Sequence, residues 1–419
     1  MHVLMLSWEF PPKVVGGLAR HVYDLSTALK EQDVDVTVIT MNPGDGTPDF
    51  ERINGVQVHR VQPYPLASPS FLMWVMQMNM ALMEKGSSLI HEEPIDIVHA
   101  HDWLAGFCGR ALKHTYKIPL LSTIHATEYG RNGGLHNDEQ RFISDVEWWL
   151  TYESWRVICC SSFMLRELQR LFQLPSDKLE MVFNGVHPEV FQVDKPEPEV
   201  RRRYAADDER LVFYVGRLVH EKGVQVLLDA APMILQKHPK TKFIITGEGP
   251  VKESLKEKAR HLGVDPSVFF TGFVDDFTRN QLYSHASVAV FPSLYEPFGI
   301  VALEAMAAGT PLVVADTGGL GEIVTHEVNG LKCYPESPTS LADQVSRLLE
   351  DEDLGARLKR AGVSLVRGSY TWSEIAKKTK NIYREVLEEY DASTWKAPRW
   401  HPEAAQVTAS PPLSPGPPH

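Results

Sequence analysis

Short runs of β-branched and aliphatic residues alternate with amphipathic segments along this chain, and the alternation begins again in the second half. Strands are predicted in the first half at His2–Ser7, Val34–Thr40, Val56–Arg60, Ile95–Ala100, Leu120–His125, Val157–Ser161 and Lys178–Val182. Further strands are predicted at Leu211–Gly216, Phe243–Gly247, Val268–Phe270, Val288–Phe291 and Leu312–Ala315. Strands that alternate with helices form parallel sheets covered by helices. The sequence therefore predicts an α/β protein with two Rossmann-like domains.

A charged stretch with two prolines, Asp194–Glu199, separates the two series and has the composition of a domain linker. We predict an N-terminal domain over residues 1–190 and a C-terminal domain over residues 191–371. Residues 372–392 place apolar side chains on one helical face, so a terminal helix is predicted there. Prolines crowd the sequence from Pro398 onwards, and residues 393–419 are expected to form a disordered tail.

Charge and composition exclude several classes of function. The 54 acidic residues outnumber the 42 Lys and Arg residues and give a net charge of −12, so binding to nucleic acid is not expected. The most membrane-like run, 71–83, is shorter than the roughly 18–20 apolar residues of a spanning helix, so no integral membrane contact is expected. The four cysteines show no C-x-x-C spacing, and the N-terminus resembles a strand rather than a leader. Both features favour a cytoplasmic location.

Polar and glycine residues follow the predicted strands of the first half, where ligands bind in open α/β sheets. Gly16 and Gly17 follow the first strand and open a helix, either as an anion-binding turn or as a simple tight turn. His101 and Asp102 follow another strand, and His125 ends the next. His99 and His101 share a strand face and could bind a metal with His125, but no carboxylate or cysteine completes that ligand set. We therefore predict no metal site, with His99 structural and His125 a catalytic or substrate contact.

The second half carries sharper signals. Arg217 and Lys222 follow a strand and lie close to the start of a helix, where two cations oppose the helix dipole and call for an anion such as a diphosphate. Glu296 precedes a helix predicted to start near Gly299, and Glu304 lies about one and a half turns into that helix. Two carboxylates at this spacing can accept hydrogen bonds from different hydroxyl groups of one extended ligand. The stretch 316–322 adds a second glycine-rich helix entry.

The combined pattern resembles the retaining nucleotide-sugar glycosyltransferases of family 4, which have the two-domain GT-B fold. The resemblance extends from residue 1 to about residue 390 and rests on Gly16, Gly17, His125, Arg217, Lys222, Glu296 and Glu304. Within that family, the stretch Val98–Gly106 is similar to bacterial and archaeal glycogen (starch) synthases. The resemblance implies two Rossmann-like domains facing across a cleft, with the C-terminal helix returning to the N-terminal domain.

The resemblance also implies roles for individual residues. Arg217 and Lys222 would neutralise the leaving diphosphate without a metal. Glu304 would bind the ribose hydroxyls, and Glu296 would hold hydroxyls of the donor sugar. The backbone at Gly299, Ile300 and Val301 would lie beside the sugar, and His125 would contact it near the reacting carbon. Gly16 and Gly17 would contact phosphate. Asp102 matches a residue that is important for activity in the family.

The function implied is retaining transfer of glucose from ADP-glucose or UDP-glucose to an α-glucan, with no cofactor besides that co-substrate. Alternative acceptors are glucose 1-phosphate, as in maltose-1-phosphate formation, or another small sugar. A nucleotide-sugar epimerase is a further alternative, because it shares the fold and the diphosphate site. Two departures from the longer synthases, Lys13 three residues before Gly16 and Ile300-Val301 where Leu-Thr is usual, favour a compact family 4 enzyme.

Overall fold

The first half of the chain forms one sheet in the computed structural model, which describes residues 1–396. Its strands are β1 (His2–Leu6), β2 (Asp35–Met41), β3 (Phe50–Ile53), β4 (Val56–Val61), β5 (Ile97–His101), β6 (Leu120–Ile124), β7 (Arg156–Cys159) and β8 (Leu179–Met181). They are ordered β3-β4-β2-β1-β5-β6-β7-β8 across the sheet, and every neighbouring pair is parallel except β3 with β4. The predicted first set of strands is therefore confirmed.

Helices cover both faces of this sheet. They are α1 (Gly17–Lys30), α2 (Phe71–Glu92), α3 (Gly106–Tyr116), α4 (Glu128–Asn132), α5 (Asp138–Glu153) and α6 (Ser162–Phe172). Coverage of both faces explains the continuous apolar character of β1, in which Val3 through Leu6 are fully buried. One cluster of buried side chains joins the sheet to α1, and a second joins it to α2 and α3.

The second half forms a separate parallel sheet. Its strands are β9 (Arg210–Val215), β10 (Thr241–Thr246), β11 (Val268–Gly272), β12 (Val288–Phe291), β13 (Leu312–Ala315) and β14 (Leu331–Cys333). They are ordered β11-β10-β9-β12-β13-β14. In both sheets the order reverses direction beside the first strand, which creates a crevice at the carboxyl ends of the strands.

In the part of the chain that the structure describes, ten further helices follow the first sheet. They are α7 (Pro188–Phe191), α8 (Pro198–Arg202), α9 (Val224–Lys237), α10 (Lys252–His261), α11 (Asp276–His285), α12 (Ile300–Ala308), α13 (Gly318–Ile323), α14 (Pro338–Glu350), α15 (Glu352–Ser369) and α16 (Trp372–Ala392). Within the described residues, none of the helices is long and apolar enough to cross a membrane.

Helix α16 returns to the first half and packs against α1, as expected for this fold. Ile375 and Tyr383 are fully buried in the cluster that also contains β1 and α1. The Tyr383 hydroxyl lies 2.7 Å from His99 Nδ1, and the Trp155 indole nitrogen donates to Glu389 at 2.8 Å. The end of the chain therefore supports the strand that carries His99.

The structure also contains elements that the sequence did not reveal. Strand β3 was missed because its residues, Phe-Glu-Arg-Ile, are exposed or half-exposed at an antiparallel edge and lack an apolar run. Strand β14 is only three residues long. The predicted boundary at residues 190 and 191 falls between β8 and β9, within α7. Residues 397–419 of the predicted tail lie outside the described part of the chain.

We predict that Ile375→Ala lowers the midpoint of thermal unfolding by roughly 5–10 °C, because a fully buried isoleucine is replaced by a cavity. Lys377→Ala is the matched control on the exposed face of the same helix, and its midpoint is expected to change by about 1 °C or less. Circular dichroism measures both. Equal midpoints for the two variants would show that α16 does not stabilise the first half.

Candidate functional site

The candidate residues of both halves lie at the carboxyl ends of strands that face one cleft. Gly17 is the first residue of α1, the helix that follows β1. A Cβ built on Gly17 would lie 3.4 Å from Cδ1 of Ile300, the first residue of α12 in the other half. Arg20 on α1 donates from Nη2 to both carboxylate oxygens of Asp276 on α11, at 2.6 and 2.8 Å. The structure therefore brings the glycine turn and the start of α12 together.

A partly buried tyrosine links the loop after His125 to the loop that carries Glu296. The Tyr295 hydroxyl donates to Glu167 Oε1 at 2.8 Å and accepts from the backbone N–H of Thr127 at 3.3 Å. The Thr127 hydroxyl donates to the same Glu167 oxygen at 2.6 Å. Gly130 allows this approach, because a Cβ there would lie 2.3 Å from the Tyr295 ring.

Asp102 fixes the backbone of His125. Its Oδ1 accepts from the backbone N–H of His125 at 2.7 Å, and Arg131 lies 3.6 Å from its Oδ2. Burial raises the pKa of Asp102 to about 6, although Arg131 and the His125 N–H oppose the shift. Asp102 thus positions the strand end that presents His125 to the cleft.

His125 belongs to a cluster of imidazoles. Its Nε2 lies 3.2 Å from His101 Nδ1, and burial lowers its pKa to about 3, with Arg131 adding to the effect. His99 is structural as predicted, because its two nitrogens lie 2.7 Å from the Tyr383 hydroxyl and 2.8 Å from the Thr123 hydroxyl. His21 of α1 joins the cluster, with its ring centroid 4.6 Å from that of His125.

Lys222 and Glu296 form an ion pair in the second half. Lys222 Nζ donates to Glu296 Oε2 at 2.6 Å, and the Ser293 hydroxyl contacts the same oxygen at 3.3 Å. Lys222 immediately precedes α9, whose first residue is Val224. Glu296 is 7% exposed, so this lysine offsets a carboxylate that is largely withdrawn from water.

The glycine-rich stretch after β13 supports the Glu296 loop from behind. The backbone N–H of Gly319 donates to the Glu296 carbonyl at 2.8 Å. Gly318 has a φ of +51°, and a Cβ there would lie 2.0 Å from that carbonyl oxygen. Gly318 and Gly319 therefore allow close packing against the loop that carries Glu296.

Arg217 and Glu304 differ in how firmly their side chains are held. The Arg217 side chain is 47% exposed, and its nearest carboxylate contact is Glu221 Oε1 at 3.7 Å. Glu304 lies inside α12, and its Oε2 accepts from the Tyr283 hydroxyl at 3.0 Å. Arg217 is therefore available to a ligand, whereas Glu304 is held in place by a buried phenol.

Glu9 is a further candidate site residue that the sequence did not reveal. It follows β1, is 2% exposed, and its Oε2 accepts from the backbone N–H groups of Val15 at 2.5 Å and Gly16 at 3.3 Å. Burial raises the pKa of Glu9 to about 7, although these N–H groups and Arg217 oppose the shift. Its position after a strand was the signal that could have identified it.

The backbone N–H groups of Gly16 and Gly17 differ in whether they are free to bind phosphate. Gly16 donates to Glu9 in this structure, so its N–H group is not free for an anion. Gly17 is the first residue of α1, at the positive end of the helix dipole. Of the two predicted glycines, Gly17 therefore has the better placed N–H group for a phosphate.

Two family models match the chain along most of its length. The model described as Glycosyltransferase Family 4 matches residues 15–190, and the model described as Glycosyl transferases group 1 matches residues 196–364. A glycosyltransferase of Methanocaldococcus jannaschii is 42% identical over 392 residues, which cover 93% of this chain and 99% of that protein. The chain is a GT-B glycosyltransferase of family 4.

Other members of the family are also similar over their whole length. A glycogen synthase of Mycobacterium tuberculosis is 37% identical over 91% of this chain and 94% of its own. An α-maltose-1-phosphate synthase of Mycolicibacterium smegmatis is 29% identical over 92% of this chain and 100% of its own. The solved structure of sucrose-phosphate synthase from Thermosynechococcus elongatus superposes with a TM-score of 0.82, at 25% identity, over 93% of this chain and 100% of that chain.

We predict that Glu9→Gln becomes more stable relative to the native protein as the pH rises from 5 to 8. The pKa of Glu9 is about 7 in the folded protein and 4.5 in its ordinary state, so the folded state binds the Glu9 proton more tightly than the unfolded state does. The native protein therefore loses stability as the pH rises from 4.5 to 7. The relative change should be at most about 3 kcal/mol. Urea unfolding at pH 5 and pH 8 measures it, and an unchanged difference between the two proteins would contradict the assignment.

Proposed function

We propose that this glycosyltransferase transfers glucose from ADP-glucose or UDP-glucose to an α-glucan, with retention of configuration, in the manner of a glycogen synthase. The observation that carries the proposal is the Lys222–Glu296 pair beside the exposed Arg217, in a chain 37% identical to a glycogen synthase over 91% of its length. These residues supply cations for a diphosphate and a carboxylate for sugar hydroxyls in one cleft.

The donor diphosphate would bind between Arg217 and Lys222. Arg217 offers a guanidinium whose nearest carboxylate contact is a weak one at 3.7 Å, and such forks bind phosphate in a bidentate manner. Lys222 sits at the start of α9, where the helix dipole also favours an anion. A bound diphosphate would compete with Glu296 for Lys222 and leave the carboxylate free to accept from the donor sugar.

The remainder of the donor would lie along α12. Glu304 would accept hydrogen bonds from the ribose hydroxyls, with its carboxylate oriented by Tyr283. Gly299, at φ +101° before α12, exposes the first N–H groups of that helix, at Ile300 and Val301, toward the sugar. The hydroxyl-binding groups and the diphosphate-binding groups then address different parts of one nucleotide sugar.

The transfer step breaks the bond between the sugar anomeric carbon and the phosphate oxygen. The electron pair leaves with the nucleoside diphosphate, and the acceptor hydroxyl attacks on the same face while its proton passes to the departing phosphate oxygen. Arg217, Lys222 and the N–H group of Gly17 would stabilise the leaving charge without a metal ion. His125 would contact the sugar near the reacting carbon, held by the Asp102 contact with its backbone.

Glucose 1-phosphate is the second candidate acceptor. It is favoured by the similarity to an α-maltose-1-phosphate synthase over the full length of that protein.

A cytoplasmic location is also part of the proposal. It is supported by the four cysteines, which are all free and buried and therefore suit a reducing compartment.

The experiment that tests the function measures nucleotide release from ADP-, UDP- and GDP-sugars, each with glycogen, maltooligosaccharide, glucose 1-phosphate or no acceptor. We expect release from ADP-glucose or UDP-glucose that requires a glucan. Release that requires glucose 1-phosphate would favour maltose-1-phosphate formation instead. No release with any pair, together with conversion of the nucleotide sugar to an isomer, would indicate an epimerase.

We predict that Arg217→Ala lowers kcat/KM for the donor by about 100-fold to 1000-fold, because one donor of leaving-group stabilisation is lost. The side chain is half-exposed, so the unfolding midpoint should stay within about 1 °C of the native value. Arg260→Ala, at an exposed position of α10, is the matched control and should retain full activity. Full activity in folded Arg217→Ala would remove the assignment.

A further inference from the structure

Three imidazoles converge beside the cleft, and the proposed transfer step uses only one of them, His125. His21 of α1, His101 at the end of β5 and His125 after β6 each offer one ring nitrogen, and these nitrogens all lie within 4.8 Å of one another. His21 and His101 are buried, and His125 is partly exposed toward the cleft. The sequence analysis considered His99 in this role, but both nitrogens of His99 are occupied.

The hydrogen bonds of His21 leave one nitrogen without a partner. Its Nδ1 donates a hydrogen bond to Asn184 Oδ1 at 2.8 Å, because the amide oxygen can only accept, and this places the ring hydrogen on Nδ1. The Nε2 atom then carries a lone pair, and it is buried without a hydrogen-bond partner. A carbonyl oxygen that orients one imidazole nitrogen while the other stays free is the arrangement found around metal-ligating histidines.

The other two histidines have the spacing of metal ligands. His101 Nδ1 and His125 Nε2 lie 3.2 Å apart. Two nitrogens bound to one tetrahedral Zn²⁺ at about 2.0–2.1 Å are separated by about 3.3 Å. The ligand nitrogen of His21 lies within 4.8 Å of the other two and completes a three-histidine set. The Asp102 carboxylate, which accepts from the His125 backbone N–H, lies next to this set.

We propose that His21, His101 and His125 bind a divalent transition metal such as Zn²⁺, and that the bound metal inhibits glycosyl transfer. Imidazole ligands favour zinc, cobalt and nickel over magnesium or calcium. Coordination would fix the His125 ring, which contacts the donor sugar in the proposed function, so donor and metal compete for the same side chain. The inhibitory part rests on the proposed function, whereas the metal site itself does not.

Binding is tested on the full chain without a polyhistidine tag, after treatment with a chelator. Equilibrium dialysis should show one Co²⁺ per chain, with the intense visible absorption of tetrahedral cobalt, and Zn²⁺ should displace it. His21→Gln and His125→Gln should each lower the Co²⁺ affinity by at least about 10-fold. His261→Gln, exposed at the end of α10, is the control and should bind as the native protein does.

Two variants keep the binding test decisive. If His21→Gln fails to fold, His125→Gln still tests the site, because His125 is partly exposed at the cleft and its side chain is not part of the core. Cobalt binding that is the same in the native protein and in folded His125→Gln would overturn the site, and so would the absence of any absorption band.

Inhibition is tested separately by titrating Zn²⁺ into the native enzyme at two donor concentrations. We expect loss of activity that a chelator reverses and that higher donor concentration opposes. Full activity at saturating Zn²⁺, or activation by it, would overturn the inhibitory role. Because dialysis and absorption use no substrate, an enzyme inactive with every donor would contradict the proposed function while leaving the metal result intact.

Discussion

The hydroxyl of Tyr295 holds the two halves of this glycosyltransferase in one arrangement. It donates to Glu167 of the first half and accepts from the backbone of Thr127, two residues beyond His125. Glu296 follows Tyr295 in the chain, so the same contact fixes the carboxylate that pairs with Lys222. A buried hydroxyl bound to a carboxylate is costly to separate without replacement partners, and this ties the geometry of the cleft to the packing of both domains.

Charge in the cleft is divided between the two halves. The second half supplies Arg217 and Lys222, whereas the first half contributes neutral imidazoles and carboxyl groups whose pKa values are raised by burial, at Glu9 and Asp102. This division suits a donor whose diphosphate binds to one domain and whose sugar faces the other. Neutral imidazoles present lone pairs, which both the proposed sugar contact and the proposed metal site require.

Much of the fold could be predicted from the sequence, because strand and helix periodicities are local. The predicted strands from His2–Ser7 to Leu312–Ala315 correspond to strands of the structure, and the terminal helix packs as the GT-B resemblance implies. Strand β3 escaped prediction because an exposed edge strand needs no apolar run. Candidate site residues could also be selected from local sequence, because ligands in such sheets bind beyond the carboxyl ends of strands. These residues are Arg217, Lys222, Glu296 and Glu304.

The sequence by itself determined the class of fold, the family and the candidate residues of the site, since each depends on short patterns along the chain. Only the tertiary structure decided which of those residues touch. Lys222 and Glu296 are 74 positions apart, His21 and Asn184 are 163 apart, and His99 and Tyr383 are 284 apart. Burial and pairing arise from packing between distant segments. The raised pKa of Glu9 and the convergence of three histidines therefore have no counterpart in any local pattern.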